Sequence, residues 1–423
     1  MKYAKSRLSL LMFVQFFAFG ATSPIISLYL RDCLSFSGAQ IGLVLGLAAV
    51  SSIVSPVVMA FLADRLISSE RLLCLLNVLG GACMIIFSMQ TEFYPALFVY
   101  FMYNLAVNPT IPLINAITFH HSPSSREKFG NTRVWGTIGW VAVAWFFSIV
   151  VLRDGGNAAA REGSQLPLLL WISAATSFIM AAYSLTIPKH GTPKDKIASN
   201  TDAGTKLRAS LLFPVDALRV IMQPHIFTLS LIATSYTFLD RFYSLGISPF
   251  LRQAGFSERA VMPAMTLGQI PEIAAMGLLG LMLKRWDAKA VLTFGIALSV
   301  LRFAACSLGS SKLLICSGLS AHGLAYTFTM ITAVIYLDRF CGERERTGVH
   351  QLFTVLTSGI GGLLGSYAAG MTLDLCTHSA GLVNFGVYWA VPMAVSGVIL
   401  VMMLWMRAHP VSFRSVSSKR PSV

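Results

Sequence analysis

The chain alternates long apolar runs with short polar breaks. Apolar stretches bounded by charged residues or by Gly, Pro and Ser recur near 8–30, 38–62, 72–90, 94–117, 129–151, 166–187, 224–250, 259–283, 288–308, 313–336, 348–372 and 383–406. Lipid offers no partner to a free backbone N–H or C=O, so a run of about 20 apolar residues crosses the hydrocarbon as a helix that satisfies its own backbone. The pattern predicts an all-α membrane protein with twelve transmembrane helices. The longest polar break contains KHGTPKDKIASNTDAGTK and follows the sixth run. It divides the chain into an N-terminal six-helix half (1–188), a linker (189–223), a C-terminal six-helix half (224–406) and a basic tail (407–423). Within the linker, 211–222 reads as a short surface helix.

Charge sets the expected orientation. With the N-terminus in the cytoplasm, 23 of the 32 Lys and Arg fall in cytoplasmic segments and 6 in outer loops. The other 3 (Arg133, Arg241 and Arg302) lie inside spans. The positive-inside rule therefore places both termini and the linker in the cytoplasm. Hydrophobic residues make up 55% of the chain and charged residues 12%, against roughly 25% charged in a soluble domain. The net charge of +14 does not point to nucleic acid, because the basic residues are spread through loops instead of being gathered on one face. The seven cysteines show no CxxC pair or metal spacing, and the first apolar run is too long for a cleaved signal. There is no nucleophile elbow, HExxH, Walker loop or clustered metal-ligand set, and no soluble domain large enough to signal. The expected class is a transporter, not an enzyme, without metal or cofactor. It is read as a multi-pass monomer of the cell inner membrane whose partners are lipid and a small solute.

An ionisable side chain within a span marks function by default, because hydrocarbon solvates it poorly. Glu272 lies near the middle of the eighth span in GQIPEIAAMG, with Gln269 three residues earlier on the same face and Pro271 disturbing the backbone between them. A carboxylate there can trade a proton against a solute, or it can form a structural ion pair with Arg241 or Arg133. In the fifth span, NTRVWGTIGWV puts Arg133, Thr137 and Trp140 on one face, a donor, a hydroxyl and a ring. Arg133 could equally snorkel to the cytoplasmic surface. Asp240 and Arg241 are adjacent in TFLDRFYSLGISPFL, where Gly246 and Pro249 predict a broken helix beside a cavity. Arg302 is expected to have a structural partner. In the tenth span His322 and Tyr326 share a face and Thr327 follows; histidine suits a proton relay and equally a packing role.

Two loops resemble the major facilitator motif G-x-L-a-D-r-x-G-r-K/R. FLADRLISSER after the second span keeps Asp64, Arg65 and Arg71, with Ala60 in place of the opening glycine. GLMLKRWDAK, at the matching place after the eighth span, keeps Gly280, Arg285 and Lys289. The resemblance implies the major facilitator fold, with these loops latching the halves during alternating access.

PTIPLINAITF, TRVWGTIGW, GQIPE, VLRFA and HGLAYTF in spans four, five, eight, nine and ten resemble the nucleoside:proton symporters of the NupG type. The resemblance implies nucleoside uptake by proton symport and a central site containing Arg133, Thr137, Trp140, Gln269 and Glu272. Where that family has a span-seven glutamine this chain carries Arg241, and His322 and Tyr326 stand where it has tyrosine and phenylalanine. The span-ten aspartate implicated there in proton coupling falls at Thr327. Glu272 and His322 are then the expected proton carriers. The competing expectation is a sugar or small organic anion, for which Arg241 supplies complementary charge; drug efflux fits a pocket of paired polar groups less well.

Overall fold

In the computed structural model the described residues are 2–65, 68–121, 126–151, 165–187, 215–309, 311–342, 345–378 and 381–408. Of the linker only 215–223 is among them, and the tail beyond 408 lies outside. Every regular element among these residues is a helix, apart from one antiparallel bridge between Thr377 and Val383. The order is α1 (Lys2–Gly20), α2 (Ile26–Asp32), α3 (Gly38–Arg65), α4 (Ser69–Ser88), α5 (Phe93–Thr118), α6 (Arg126–Phe146, continued by a π-helical turn, Phe147–Val151) and α7 (Leu166–Ser184). After the linker come α8 (Val215–Ile221), α9 (Pro224–Gln253), α10 (Glu258–Arg285), α11 (Ala288–Leu308), α12 (Lys312–Arg339), α13 (Gly348–Leu375) and α14 (Phe385–Ala408). Among the described residues, nine of these, α4 to α7 and α10 to α14, are long and apolar enough to cross a membrane. The short helix read at 211–222 is α8.

Breaks in three helices have one cause. α1 stops at Gly20, four residues before Pro24; α5 is interrupted at Asn108, four residues before Pro112; α10 is interrupted at Leu267, four residues before Pro271. A proline donates no hydrogen bond and its ring collides with the carbonyl four residues back. The break expected in the seventh span is absent: α9 runs unbroken from Pro224 to Gln253 with Pro249 in its last turns. Its neighbour supplies the reason. The Tyr388 ring of α14 occupies the space a Cβ on Gly246 would need, and its hydroxyl donates to the Phe242 carbonyl at 2.9 Å. The helix is clamped from outside where its own ladder is weakened.

α1 to α7 and α9 to α14 meet through small residues. A Cβ on Gly42 would come within 2.5 Å of the Ser366 carbonyl oxygen, one on Gly46 within 3.0 Å of Leu363, and one on Gly370 would collide with the Gly38 backbone. Glycine lets the backbones of α3 and α13 touch here, as small residues do between membrane helices generally. At the same end, the Asp374 carboxylate accepts the Gly38 and Ala39 N–H groups at 2.5 and 2.7 Å, filling donors that a helix N-terminus leaves empty. Ser27 and Ser248 pair at 3.0 Å, Arg31 donates to the Gly381 carbonyl, and the Gln165 N–H donates to Glu258. This end is closed. Removing the cap with Asp374→Ala is expected to loosen it by about 1–2 kcal/mol, seen as faster maleimide labelling of a single reporter cysteine at Leu45 in a background without the native cysteines.

The outer faces are apolar. Leu79, Ile179, Leu231, Leu301 and Val401 are exposed, whereas Gln15, Asn77, Ser173, Arg302 and Thr327 are buried. That reverses a soluble surface and matches hydrocarbon on the outside of the bundle.

Candidate functional site

The three proline-dependent breaks converge. A cavity of about 570 Å³ lies between the N-terminal and C-terminal helices, lined by Thr22, Ser23 and Pro24 of the α1 break, Asn104, Asn108 and Pro112 of the α5 break, and Gln269 of the α10 break. Backbone polar groups freed at that depth are tolerated only against a polar cavity, and its size suits a small organic solute. Trp140, Arg241, Tyr243 and His322 complete the facing walls. Among its described lining residues Arg241 is the one full cation, and no carboxylate is present. The Arg241 Nε is buried without a hydrogen-bond partner. Ser358, in a π-helical stretch of α13 (Val355–Gly361), also lines it, and such stretches recur at functional sites.

Four residues singled out by sequence thus share one cavity: Trp140, Arg241, Gln269 and His322. Arg133, Glu272 and Tyr326 form a second group beside it. The break in α10 starts a fresh helix at Gln269, which puts Glu272 one turn further on, where its Cβ sits against Gly323 of α12. Tyr326 is one turn beyond Gly323, and Arg133 acts electrostatically on both Glu272 and Tyr326 from the other side. No contact ion pair joins Glu272 to Arg133 or Arg241 among the described residues. Arg133 is turned inward, its guanidinium 4.2 Å from the centre of the Phe16 ring, so it does not snorkel. Thr137, half-buried one turn on, makes no hydrogen bond to either group among the described residues. Thr327 is fully buried at the start of a π-helical turn, its hydroxyl unpaired.

Arg302 does have a partner. It is 1% exposed and donates to Asp240 Oδ1 at 3.2 Å and to His322 Nδ1. His322 stacks on Tyr243, centroids 4.0 Å apart and planes 9° apart. Sequence reasoning passed over Asn104 and Asn108 because it weighed ionisable residues; two asparagines with Pro109 and Pro112 in an apolar run were the available signal. Of the loop residues, Arg71, Arg285 and Lys289 are exposed, while the side chains of Asp64 and Arg65 lie outside the described residues.

A bundle of apolar helices around a central polar cavity defines a multi-pass membrane transporter. The family model for nucleoside H+ symporters matches residues 1–410, and the chain belongs to that family. It is 28% identical over 376 residues to the putative nucleoside transporter YegT of Escherichia coli K12, covering 87% of this chain and 84% of the relative. It is 22% identical over 380 residues to the xanthosine permease of the same organism, covering 87% of each. The crystal structure of the nucleoside transporter NupG superposes with a TM-score of 0.81 at 22% identity, covering 96% of this chain and 99% of that one. The family and these neighbours are transporters, so this chain is a nucleoside transporter and not an enzyme.

Proposed function

We propose that the chain takes up nucleosides by proton symport through alternating access, with the solute held in the cavity between the helices before and after the linker. The observation that carries this reading is the cavity itself: a ring (Trp140), an amide (Gln269), an imidazole (His322) and a guanidinium (Arg241) converge on a space of suitable size. A flat solute with hydrogen-bonding edges stacks on the ring, while ribose and base bond to the polar groups. Arg133, Thr137, Glu272 and Tyr326 adjoin and complete the site as the solute binds. Glu272 and His322 exchange protons, and Asp64, Arg65, Arg71, Arg285 and Lys289 latch the cytoplasmic loops.

The same reading counts α1 with α2, α3 and α9 as spans alongside the nine apolar helices. This gives twelve spans in two six-helix halves, 1–188 and 224–406, around the linker 189–223, with both termini and the tail 407–423 in the cytoplasm of a cell with this protein in its inner membrane. The closed end then faces outward and the carrier is inward-facing. It works as a monomer in the lipid bilayer, with no cofactor beyond the proton gradient.

Uptake of radiolabelled uridine, adenosine and xanthosine by cells lacking their own nucleoside carriers, with and without a protonophore, tests the reading. Uptake sensitive to the protonophore is expected; none, despite verified expression in the membrane, overturns it. Arg241 favours a second reading, an anionic solute such as a small organic acid, because the cavity has a cation and no lining carboxylate. On that reading Arg241→Gln weakens uptake of the anion by about 10- to 100-fold, the worth of a charge-assisted hydrogen bond, and leaves neutral nucleosides little changed.

A further inference from the structure

The buried cluster beside the cavity has a chemistry that solute binding alone does not explain. Arg302 of α11 is fully enclosed, and its charge is met by one carboxylate, Asp240 of α9. Its Nε and Nη2 make no hydrogen bond, and the rings of Tyr236, Tyr243 and Phe303 surround it, their centres 5.5, 5.4 and 4.4 Å from the guanidinium carbon. A buried pair so sparsely supported is a poor way to stabilise a fold, since apolar side chains of like volume would do as well. Asp240 keeps 21% of its side-chain exposure and His322 18%, against 1% for Arg302. The proton-accepting members therefore keep some exposed surface, His322 in the wall of the cavity, while the fixed cation keeps almost none.

We propose that Asp240, paired with Arg302, is the buried binding site of the coupling proton and is loaded through His322. This rests on the symport reading above and adds the place where the proton is kept. The geometry gives the transfer two defined states. An arginine only donates, so with Arg302 bonded to His322 Nδ1 the imidazole is neutral and carries its hydrogen on Nε2. When a proton arrives from the cavity, Nδ1 becomes a donor and turns from Arg302 to Asp240 Oδ1, 3.6 Å away. The proton then passes to the carboxylate: imidazolium and carboxylate become imidazole and carboxylic acid, Arg302 stays a cation, and the cluster goes from neutral to a net single positive charge. The remaining groups that act on Asp240 are Arg241, Tyr236 and Tyr243 on its own helix, Glu272 of α10 and Tyr326 of α12.

Loading also has a mechanical consequence. The Asp240–Arg302 pair ties α9 to α11, and α9 is the helix that brings Arg241 to the cavity and seats Ser248 against Ser27 at the closed end. Neutralising Asp240 releases α9 from α11. His322 lines the cavity, stacks on Tyr243 and touches the pair, so a solute against its ring sets which of the two states it takes.

The test compares accumulation with exchange in proteoliposomes under an imposed inward gradient of one pH unit. Because Asp240→Asn by itself strands a buried cation, the decisive variant is Asp240→Asn with Arg302→Gln, which removes both charges; Asp240→Glu serves as the conservative companion. The wild type is expected to accumulate nucleoside by about tenfold, the worth of one proton across one pH unit. The double variant is expected to bring nucleoside only to equal concentrations on both sides, to lose nucleoside-dependent proton uptake, and to exchange internal for external nucleoside within about threefold of the wild-type rate; Asp240→Glu restores accumulation. Accumulation by the double variant at the wild-type ratio overturns the assignment, as does loss of exchange and accumulation in equal measure with Asp240→Glu behaving the same way. A wild type that moves nucleoside without protons refutes the symport reading itself, a separate outcome.

Discussion

Replacing Glu272 by glutamine is expected to lower nucleoside uptake by about 10- to 150-fold while leaving the protein folded and in the membrane. Glutamine keeps the shape of the side chain against Gly323, so the packing of α10 on α12 is preserved. What disappears is the negative charge. Hydrogen bonds accepted by a carboxylate are worth about 1.5–3 kcal/mol, roughly 10- to 150-fold in affinity, and the solute's hydroxyl and N–H donors lose that acceptor. Arg133, inward-facing over Phe16, also loses the charge it answers across the interface. Solute affinity measured by displacement of labelled nucleoside in detergent separates this from a coupling defect. An affinity within about twofold of wild type removes Glu272 from the solute site, whatever happens to accumulation.

The second large effect is steric. A valine at Gly370 is expected to block transport, because its Cβ would occupy the space of the Gly38 backbone, and neither rigid helix can yield as a flexible side chain would. Overpacking of this kind costs about 1–3 kcal/mol, a shift of roughly 5- to 150-fold against the closed arrangement. Uptake should fall accordingly, and a reporter cysteine at Leu45, which lines the cavity, should label faster from the end where α3 meets α13. Gly397→Val is the control: nothing lies within 4 Å of a Cβ there, and uptake should be close to wild type. Equal losses in the two variants would mean that glycine matters for its backbone freedom and not for closure.

How far the sequence reaches differs from residue to residue. Arg133, Glu272 and Tyr326 were legible because charge and aromatic groups within apolar runs are conspicuous, and their spacing fixes which face of a helix they share. Pro271 was read correctly as a disturbance, and the structure moves that disturbance back to Leu267, where the proline's ring meets the preceding turn. Pro249 was read the same way and breaks nothing, because Tyr388, 139 positions away in the chain, docks on Gly246 and bonds the Phe242 carbonyl. No window of local sequence contains that neighbour.

The sequence by itself determined that the chain is a helical membrane protein, roughly where its apolar helices lie, and, through motifs such as TRVWGTIGW and GQIPE, which family it resembles. The first two follow from composition and period, which act locally because lipid imposes the same demand on every segment. Only the tertiary structure decided that the three proline breaks meet around one cavity, that Asp240 turns toward Arg302 and His322 while adjacent Arg241 lines the cavity, and that one end is closed through glycine contacts. Each of these depends on the rotation and height of one helix against another. That is set by which small residues allow backbones to touch and which buried charges must find each other, a contest among side chains far apart in sequence.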